Sequence, residues 1–245
     1  MSIHTPTTNR HYQRHNLGFS LLELSISIAI IALLITAVVA GQSIKQRLAL
    51  HQMIEDMGIL NTASKEFKTA YKGLAGDLFN AETVFGQDKL GNKVLDHQGD
   101  GNGNGNNILE DNLTSPARNE KLLFWQHLSA AGLITGTYDG SSLGSSGMYL
   151  SPFKDTYYEP NTDSHAGNRL YFRISTLSAG ALGYGAFTTE DAFNYDTKYD
   201  DGNPTTGTIR ALESTGQVTG NCMTAGGYNL AYTAKNACQL LFYVE

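Results

Sequence analysis

The most regular pattern along the chain is a run of apolar residues near its N-terminus. No charged residue occurs from Leu24 to Ile44, and Phe19–Ala40 has the length of a helix that crosses a bilayer, which needs about 20 residues. The preceding residues include Arg10 and Arg14 but no acidic residue, and basic flanks stay on the cytoplasmic side. The pattern therefore predicts one membrane-spanning helix with a cytoplasmic N-terminus and an exported remainder.

Beyond Gly41 the apolar positions recur every three or four residues, which is the spacing of one face of a helix. These positions are Ile44, Leu48, Met53, Met57, Leu60, Ala63, Phe67 and Tyr71. The two patterns together predict one long helix over residues 19–73, transmembrane over 19–40 and amphipathic over 41–73.

Residues 74–245 are predicted to form one globular head domain, in which short apolar runs alternate with turns rich in glycine, serine and asparagine. Four runs are predicted strands of an antiparallel sheet: Met148–Phe153, Arg169–Ser175, Thr206–Leu212 and Cys238–Glu245. Three helices are predicted: Asn80–Phe85, a helix from Ser115-Pro116 to Gly132, and Thr188–Tyr199. Trp125 is expected in the core, and the fold class is α+β.

Composition narrows the possible functions. The net charge is −6 and only 16% of residues are charged, so we expect no nucleic-acid binding, which requires clustered lysine and arginine. The two cysteines are Cys222 and Cys238, and we expect them to form a disulfide because the preceding segment would export them. No nucleophile motif or zinc spacing occurs, the histidines are interpreted as surface or structural residues, and no enzyme activity is predicted.

Glu23 is the residue that the membrane helix does not explain. An ionised carboxylate in hydrocarbon is costly and usually has a partner. Two simple interpretations of the apolar run, a cleaved secretory signal peptide and a plain signal anchor, leave Glu23 without a role. Signal peptides also have shorter apolar cores, of about 7–15 residues.

The hexapeptide Gly18-Phe19-Ser20-Leu21-Leu22-Glu23 resembles the processing site of type IV pilins and pseudopilins. The likeness covers residues 10–72 and combines a basic leader, glycine before phenylalanine, glutamate five residues into the mature chain and an unbroken apolar run. It implies that a prepilin peptidase removes residues 1–18 by cutting between Gly18 and Phe19, and that Phe19 is then N-methylated. It also implies a type IV pilin-like fold, with a long N-terminal helical spine packed on an antiparallel β-sheet.

The same resemblance implies a role for Glu23 in assembly. Cleavage would create an ammonium group at Phe19, and Glu23 of one subunit would pair with the ammonium of its neighbour in a filament core. The helix would first anchor the subunit in the inner membrane and then contact other pilin subunits by heterologous, non-closing association. The expected location is the inner membrane before assembly, and afterwards a pilus at the cell surface or a periplasmic pseudopilus.

Three functions remain open at this point. The first is a structural subunit of a type IV pilus, and the second is a pseudopilin of a type II secretion system. The third is a membrane-anchored adhesin or ligand-binding protein, in which tyrosines would stack on sugars: Tyr157, Tyr158, Tyr184 and Tyr195.

In the loop that ends at Asp111, the spacing of the polar residues resembles that of a calcium-binding loop. Asp100, Asn102 and Asn104 alternate and Gly105 follows, as at positions 1, 3, 5 and 6 of an oxygen-lined calcium loop. The second half fits less well, and two interpretations stay open: a flexible loop without metal, and a calcium site with the ligands Asp100, Asn102, Asn104, Asn106 and Asp111. No cofactor is expected to be required.

A second acidic group, Asp196, Asp200 and Asp201, is interpreted as the end of a helix and a turn, with a metal site as the alternative.

Overall fold

The computed structural model describes residues 20–86, 101–111, 119–178 and 180–244. Two compact units divide the chain, residues 1–47 and residues 48–245. The elements in chain order are α1 (Leu21–Tyr71), α2 (Ala81–Phe85), α3 (Glu120–Ala130), β1 (Thr156–Asp163), β2 (Arg169–Ser178), β3 (Ala181–Tyr184), α4 (Thr189–Tyr199), β4 (Ile209–Glu213), β5 (Met223–Thr224), β6 (Gly227–Tyr228) and β7 (Cys238–Tyr243). The α+β class predicted from the sequence is confirmed.

Helix α1 has 51 residues and contains no proline that would interrupt it. In the second unit its buried side chains follow the predicted helical spacing, and they are Met53, Leu60, Ala63 and Phe67. The hydroxyl of Tyr158 on β1 donates a hydrogen bond to the Asp56 carboxylate at 2.9 Å. The C-terminal part of α1 is thus packed on the sheet, as the resemblance to type IV pilins implies.

The sheet has the strand order β1-β2-β7-β4, with β3 paired to the end of β2. All of these pairings are antiparallel, as predicted. Side chains such as Tyr158, Phe172 and Leu240 are buried on the face that packs against the helices. Helix α3 covers the same face, because the rings of Phe124 and Trp125 lie 5.6 and 5.9 Å from that of Phe172. Trp125 is fully buried, so its predicted place in the core is confirmed.

One predicted strand is wrong, and four strands were missed, of which β1 is the longest and β3, β5 and β6 have four residues or fewer. Met148–Phe153 forms only a single bridge, between Leu150 and Tyr157, and Pro152 lacks the N–H that a ladder would need. Strand β1 follows this turn and pairs with β2 along its whole length. The sequence pattern misses β1 because it contains Pro160, which is tolerated there because β1 is an edge strand.

Helix α3 begins later than the sequence predicts. Its first residue is Glu120, and the Asn119 side chain caps it by accepting hydrogen bonds from backbone N–H groups, including that of Leu122 at 3.3 Å. The predicted start at Ser115-Pro116 is therefore wrong, and residues 112–118 lie outside the described residues. The predicted stop is correct, because Gly132 has the positive φ of 72° that ends a helix.

A buried ion group joins α3 to the two strands β1 and β2. Glu159 and Arg173 are direct partners in the β1–β2 register. The Arg173 guanidinium donates to both carboxylate oxygens of Glu159, at 2.6–2.9 Å, and Lys121 Nζ donates to Oε1 at 3.1 Å. Burial alone would raise the pKa of Glu159, but the two cations outweigh it and hold that pKa below its usual value.

Candidate functional site

The N-terminal part of α1 presents an uninterrupted apolar surface. Leu21–Val38 is long and apolar enough to cross a membrane, judged by length and composition, and none of this segment is buried within the protein. Glu23 is its only charged residue. A helix that is apolar on all sides normally lies within a membrane or within a protein core, so this surface requires a membrane or other subunits to cover it.

Ser20 and Glu23 form a capping box at the start of this helix. Ser20 Oγ accepts hydrogen bonds from the backbone N–H groups of Leu22 and Glu23, at 3.1 and 3.3 Å. The Glu23 carboxylate accepts one from the Ser20 N–H at 3.1 Å. This reciprocal pattern satisfies backbone donors that a helix start leaves unpaired. Our sequence analysis did not use Ser20, although the spacing Ser-x-x-Glu before an apolar run is the signature of this motif.

Gly18 and Phe19, the predicted cleavage pair, lie outside the described residues. The capping box begins at the next residue, Ser20. The Glu23 carboxylate is thereby held at the N-terminal end of the helix, where the positive end of the helix dipole also favours a negative charge.

The loop that ends at Asp111, called here the Gly/Asn loop and described over residues 101–111, is held by two carboxylates that lie outside it. Asp77 accepts hydrogen bonds from the backbone N–H groups of Gly105 and Asn107, both at 2.6 Å. Glu120 accepts from the N–H groups of Asn104 at 2.9 Å and Glu110 at 3.0 Å. These carboxylates therefore bind the backbone donors of the loop. No local spacing in the sequence points to Asp77 or Glu120, because the hydrogen bonds depend on the tertiary fold.

The described residues among the proposed calcium ligands are engaged in hydrogen bonds. Asp100 lies outside the described residues. Each of the other four has a side-chain oxygen that accepts from a neighbouring N–H: Asn102 from Glu82, Asn104 from Asn106, Asn106 from Ile108, and Asp111 from Asn119. Calcium binding at this loop stays a prediction.

Burial changes the protonation of the two carboxylates that hold the loop. Burial raises the pKa of Glu120 to about 7, and the charges of Asp77 and Glu110 add to the rise while two backbone N–H groups oppose it. Burial also raises the pKa of Asp77. Two neighbouring acidic groups of this kind hold a proton more readily than isolated ones.

The structure brings the second acidic group together at the end of α4. Carboxylate oxygens of Asp196, Asp200 and Asp201 lie within 4.8 Å of one another. Asp196 is buried and accepts from the Tyr228 hydroxyl at 2.8 Å, and burial together with the two acidic neighbours raises its pKa. Asp200 accepts from the backbone N–H of Ile209 at 2.7 Å. These bonds join the end of the helix to the start of β4, in agreement with the interpretation as a helix end and turn.

Cys222 and Cys238 form a disulfide, as predicted. The bond fastens the segment before β5 to the first residue of β7. The Glu213 carboxylate accepts hydrogen bonds from three backbone N–H groups beside this bond, including that of Cys222 at 2.9 Å. The disulfide loop is therefore attached to the sheet by covalent and hydrogen bonds.

His127 and two of the four tyrosines considered for sugar binding have structural roles. His127 is buried between Gly76 N–H and the Gly101 carbonyl, at 2.9 and 2.8 Å, and burial lowers its pKa to about 4. Tyr158 and Tyr195 are buried in the core and have no ring face available for a sugar. Two of the four tyrosines that were considered for stacking on sugars are therefore not available for that role.

One known family matches part of the chain. The family described as the prokaryotic N-terminal methylation motif matches residues 13–39. No curated protein and no solved structure matches the chain. The matched residues include Gly18, Phe19, the Ser20–Glu23 capping box and the exposed apolar surface.

Proposed function

The chain carries the N-terminal methylation segment of type IV pilins and pseudopilins, and we propose that it is a structural subunit of a type IV pilus-like filament. The motif marks a family of structural subunits rather than enzymes. The processed subunit is thus of the pilin or pseudopilin kind, and the proposal concerns the fibre that it joins and the way it assembles.

The observation that carries the proposal is the exposed apolar surface of Leu21–Val38. A buried apolar side chain is worth about 1.5–3 kcal/mol relative to an exposed one, so this segment gains a large stabilisation wherever it is covered. The inner membrane covers it first. Packing against the same helix of other subunits replaces the lipid when the subunit enters the fibre.

Processing supplies the charge that Glu23 needs in this setting. A prepilin peptidase cuts between Gly18 and Phe19, and the new amino group of Phe19 is methylated. In the fibre, the Glu23 carboxylate pairs with the Phe19 ammonium of a neighbouring subunit. It either gives up the hydrogen bond that it accepts from the Ser20 N–H or accepts both at once. Because a lone charge in an apolar core is strongly unfavourable, this pair selects one axial register for the helices.

The pilus proposal and the pseudopilus alternative share these steps. They differ in where the fibre ends, on the outer surface of the cell or within the periplasm. Antibody against the head domain labels intact cells in the first case, and only permeabilised cells in the second.

Intact mass of the mature protein tests the processing. We expect the loss of residues 1–18 and the gain of one methyl group at Phe19. An uncut chain, or a chain cut elsewhere, would contradict the proposal.

Fibre incorporation of a Glu23→Val variant tests the assembly step. The variant is expected to stay in the membrane and to be lost from the fibre, because it cannot pair with the ammonium of a neighbour. Ala29→Val is the matched control, since it introduces the same side chain in the same apolar segment without removing a charge. Normal incorporation of Glu23→Val would show that the carboxylate does not set the register.

A further inference from the structure

A surface cavity of about 280 Å³ lies in the second unit, between the C-terminal part of α1 and the sheet. Gly58 and Asn61 of α1 form one wall. Phe172 and Phe242 of the sheet and Tyr199 of α4 form the opposite side. No charged residue lines the cavity, so an occupant must be uncharged and largely apolar.

Gly58 lowers the stability of the isolated subunit, and no contact among the described residues compensates for this. It lies in the interior of α1, where glycine is less favourable than other residues. A Cβ atom built on Gly58 would have no atom within 4 Å among the described residues. No neighbour in the described part of the subunit therefore requires a glycine at this position, and its effect is to leave the cavity open.

Asn61 carries a second unfavourable feature at the same place. Its Oδ1 atom is buried and has no hydrogen-bond partner among the described residues. A buried amide oxygen without a donor is destabilising, and such atoms are uncommon in folded proteins. The cavity is thus largely apolar and open beside Gly58, and it contains one hydrogen-bond acceptor, Asn61 Oδ1, without a donor among the described residues.

We propose that the cavity is a docking site for the apolar surface of a second copy, Leu21–Val38 of its helix α1. This inference rests on the proposed function. Both surfaces lack a partner within the described residues, and apart from Glu23 neither carries a charge. An exposed apolar patch that fits a pocket elsewhere on the same molecule makes a heterologous contact, which repeats from subunit to subunit without closing.

The donor for Asn61 comes from a hydroxyl of the docked helix. The uncharged polar side chains in Leu21–Val38 are Ser25, Ser27 and Thr36. Each hydroxyl donates to a backbone carbonyl of its own helix in the subunit, and a hydroxyl can rotate its hydrogen toward Asn61 on contact. Docking thereby fills the apolar cavity and satisfies its acceptor in one step.

A Gly58→Leu variant of the full chain tests this inference. Leucine is a better helix former and has room at this position, so the melting temperature, followed by the fluorescence of buried Trp125, is expected to rise by about 2–4 °C. The same side chain fills the cavity, so incorporation into fibres alongside wild type is expected to fall at least tenfold. Thr69→Leu is the control, because Thr69 is an exposed residue of α1 outside the cavity, and it is expected to incorporate normally.

An Asn61→Leu variant keeps the test decisive if Gly58→Leu folds poorly. It removes the unpaired acceptor, and it is expected to preserve folding and to lower incorporation. Normal incorporation of both folded variants, in cells where wild type forms fibres, overturns the docking site alone. The absence of fibres from wild type, in cells with an active filament system, overturns the proposed function and this inference with it.

Discussion

Glu159→Gln removes the carboxylate that binds both Lys121 and Arg173. The side chains of these three residues are 3%, 15% and 23% exposed, so the group is largely withdrawn from water. Removing one partner of a buried ion pair typically costs 3–5 kcal/mol, because the remaining charge is left buried and unpaired. The partial exposure of the two cations lets water recover some of this loss. We therefore expect a decrease of about 3 kcal/mol in the free energy of unfolding.

Urea unfolding of the full chain in detergent, followed by the fluorescence of Trp125, measures this loss. With a urea dependence of about 2 kcal/mol per molar, the midpoint is expected to fall by about 1.5 M. Glu66→Gln is the matched control, because Glu66 is exposed on α1, and it should change the stability by less than about 0.5 kcal/mol. A Glu159→Gln midpoint that equals that of the control would refute the reasoning. Replacing Glu159 and Arg173 together by methionine should be milder than the single change, since one cation rather than two then loses Glu159, and that cation, Lys121, keeps its contact with Asp111 at 3.8 Å.

Three further predictions follow from the site. Burial raises the pKa of Glu120 from 4.5 to about 7, so between these pH values the folded state binds a proton that the unfolded state has lost. The melting temperature of wild type should therefore fall relative to that of Glu120→Gln as the pH rises from 4.5 to 7. Melting temperatures of the two proteins that change in parallel with pH would contradict this. Reduction of the Cys222–Cys238 bond should lower the free energy of unfolding by about 3 kcal/mol, which corresponds to a melting temperature lower by about 6–12 °C. The reductant should not change the melting temperature of the variant in which both cysteines are replaced by serine. For the calcium prediction, a chelator should lower the melting temperature of wild type and not that of a variant with alanine at Asp100 and Asp111, and a wild-type protein indifferent to both chelator and calcium would rule out the site.

Local sequence patterns were sufficient for the elements that depend on local physical chemistry. Helix α1 follows from the unbroken apolar spacing, and strands β2 and β7 follow from runs of apolar residues bounded by turns. The start of α4 follows from a capping residue, since threonine at 188 or 189 can cap a helix and Thr188 Oγ1 accepts from the Asp191 N–H at 3.0 Å. These features require no knowledge of distant residues.

The remaining features depend on partners that lie far away in sequence. Pro160 argues against a strand unless its place at the sheet edge is known. The hydrogen bonds of Asp77 and Glu120 to the Gly/Asn loop form only once the tertiary fold brings these carboxylates next to the loop. The described amide side chains of the loop make hydrogen bonds to the loop and to α2, and the calcium site that the loop spacing predicts stays a prediction.

The position of β7 has a consequence for the order of events during synthesis and folding. Residues 238–243 pair with β2 on one side and β4 on the other, so the strand that is synthesised last completes the middle of the sheet. The sheet cannot be completed before these residues have left the ribosome, and pairing between strands distant in sequence is slow to form. Leu21–Val38 lies near the other end of the chain and has emerged long before. In the proposed membrane-anchored subunit, this strand order makes the apolar segment available for insertion before the sheet of the head is complete.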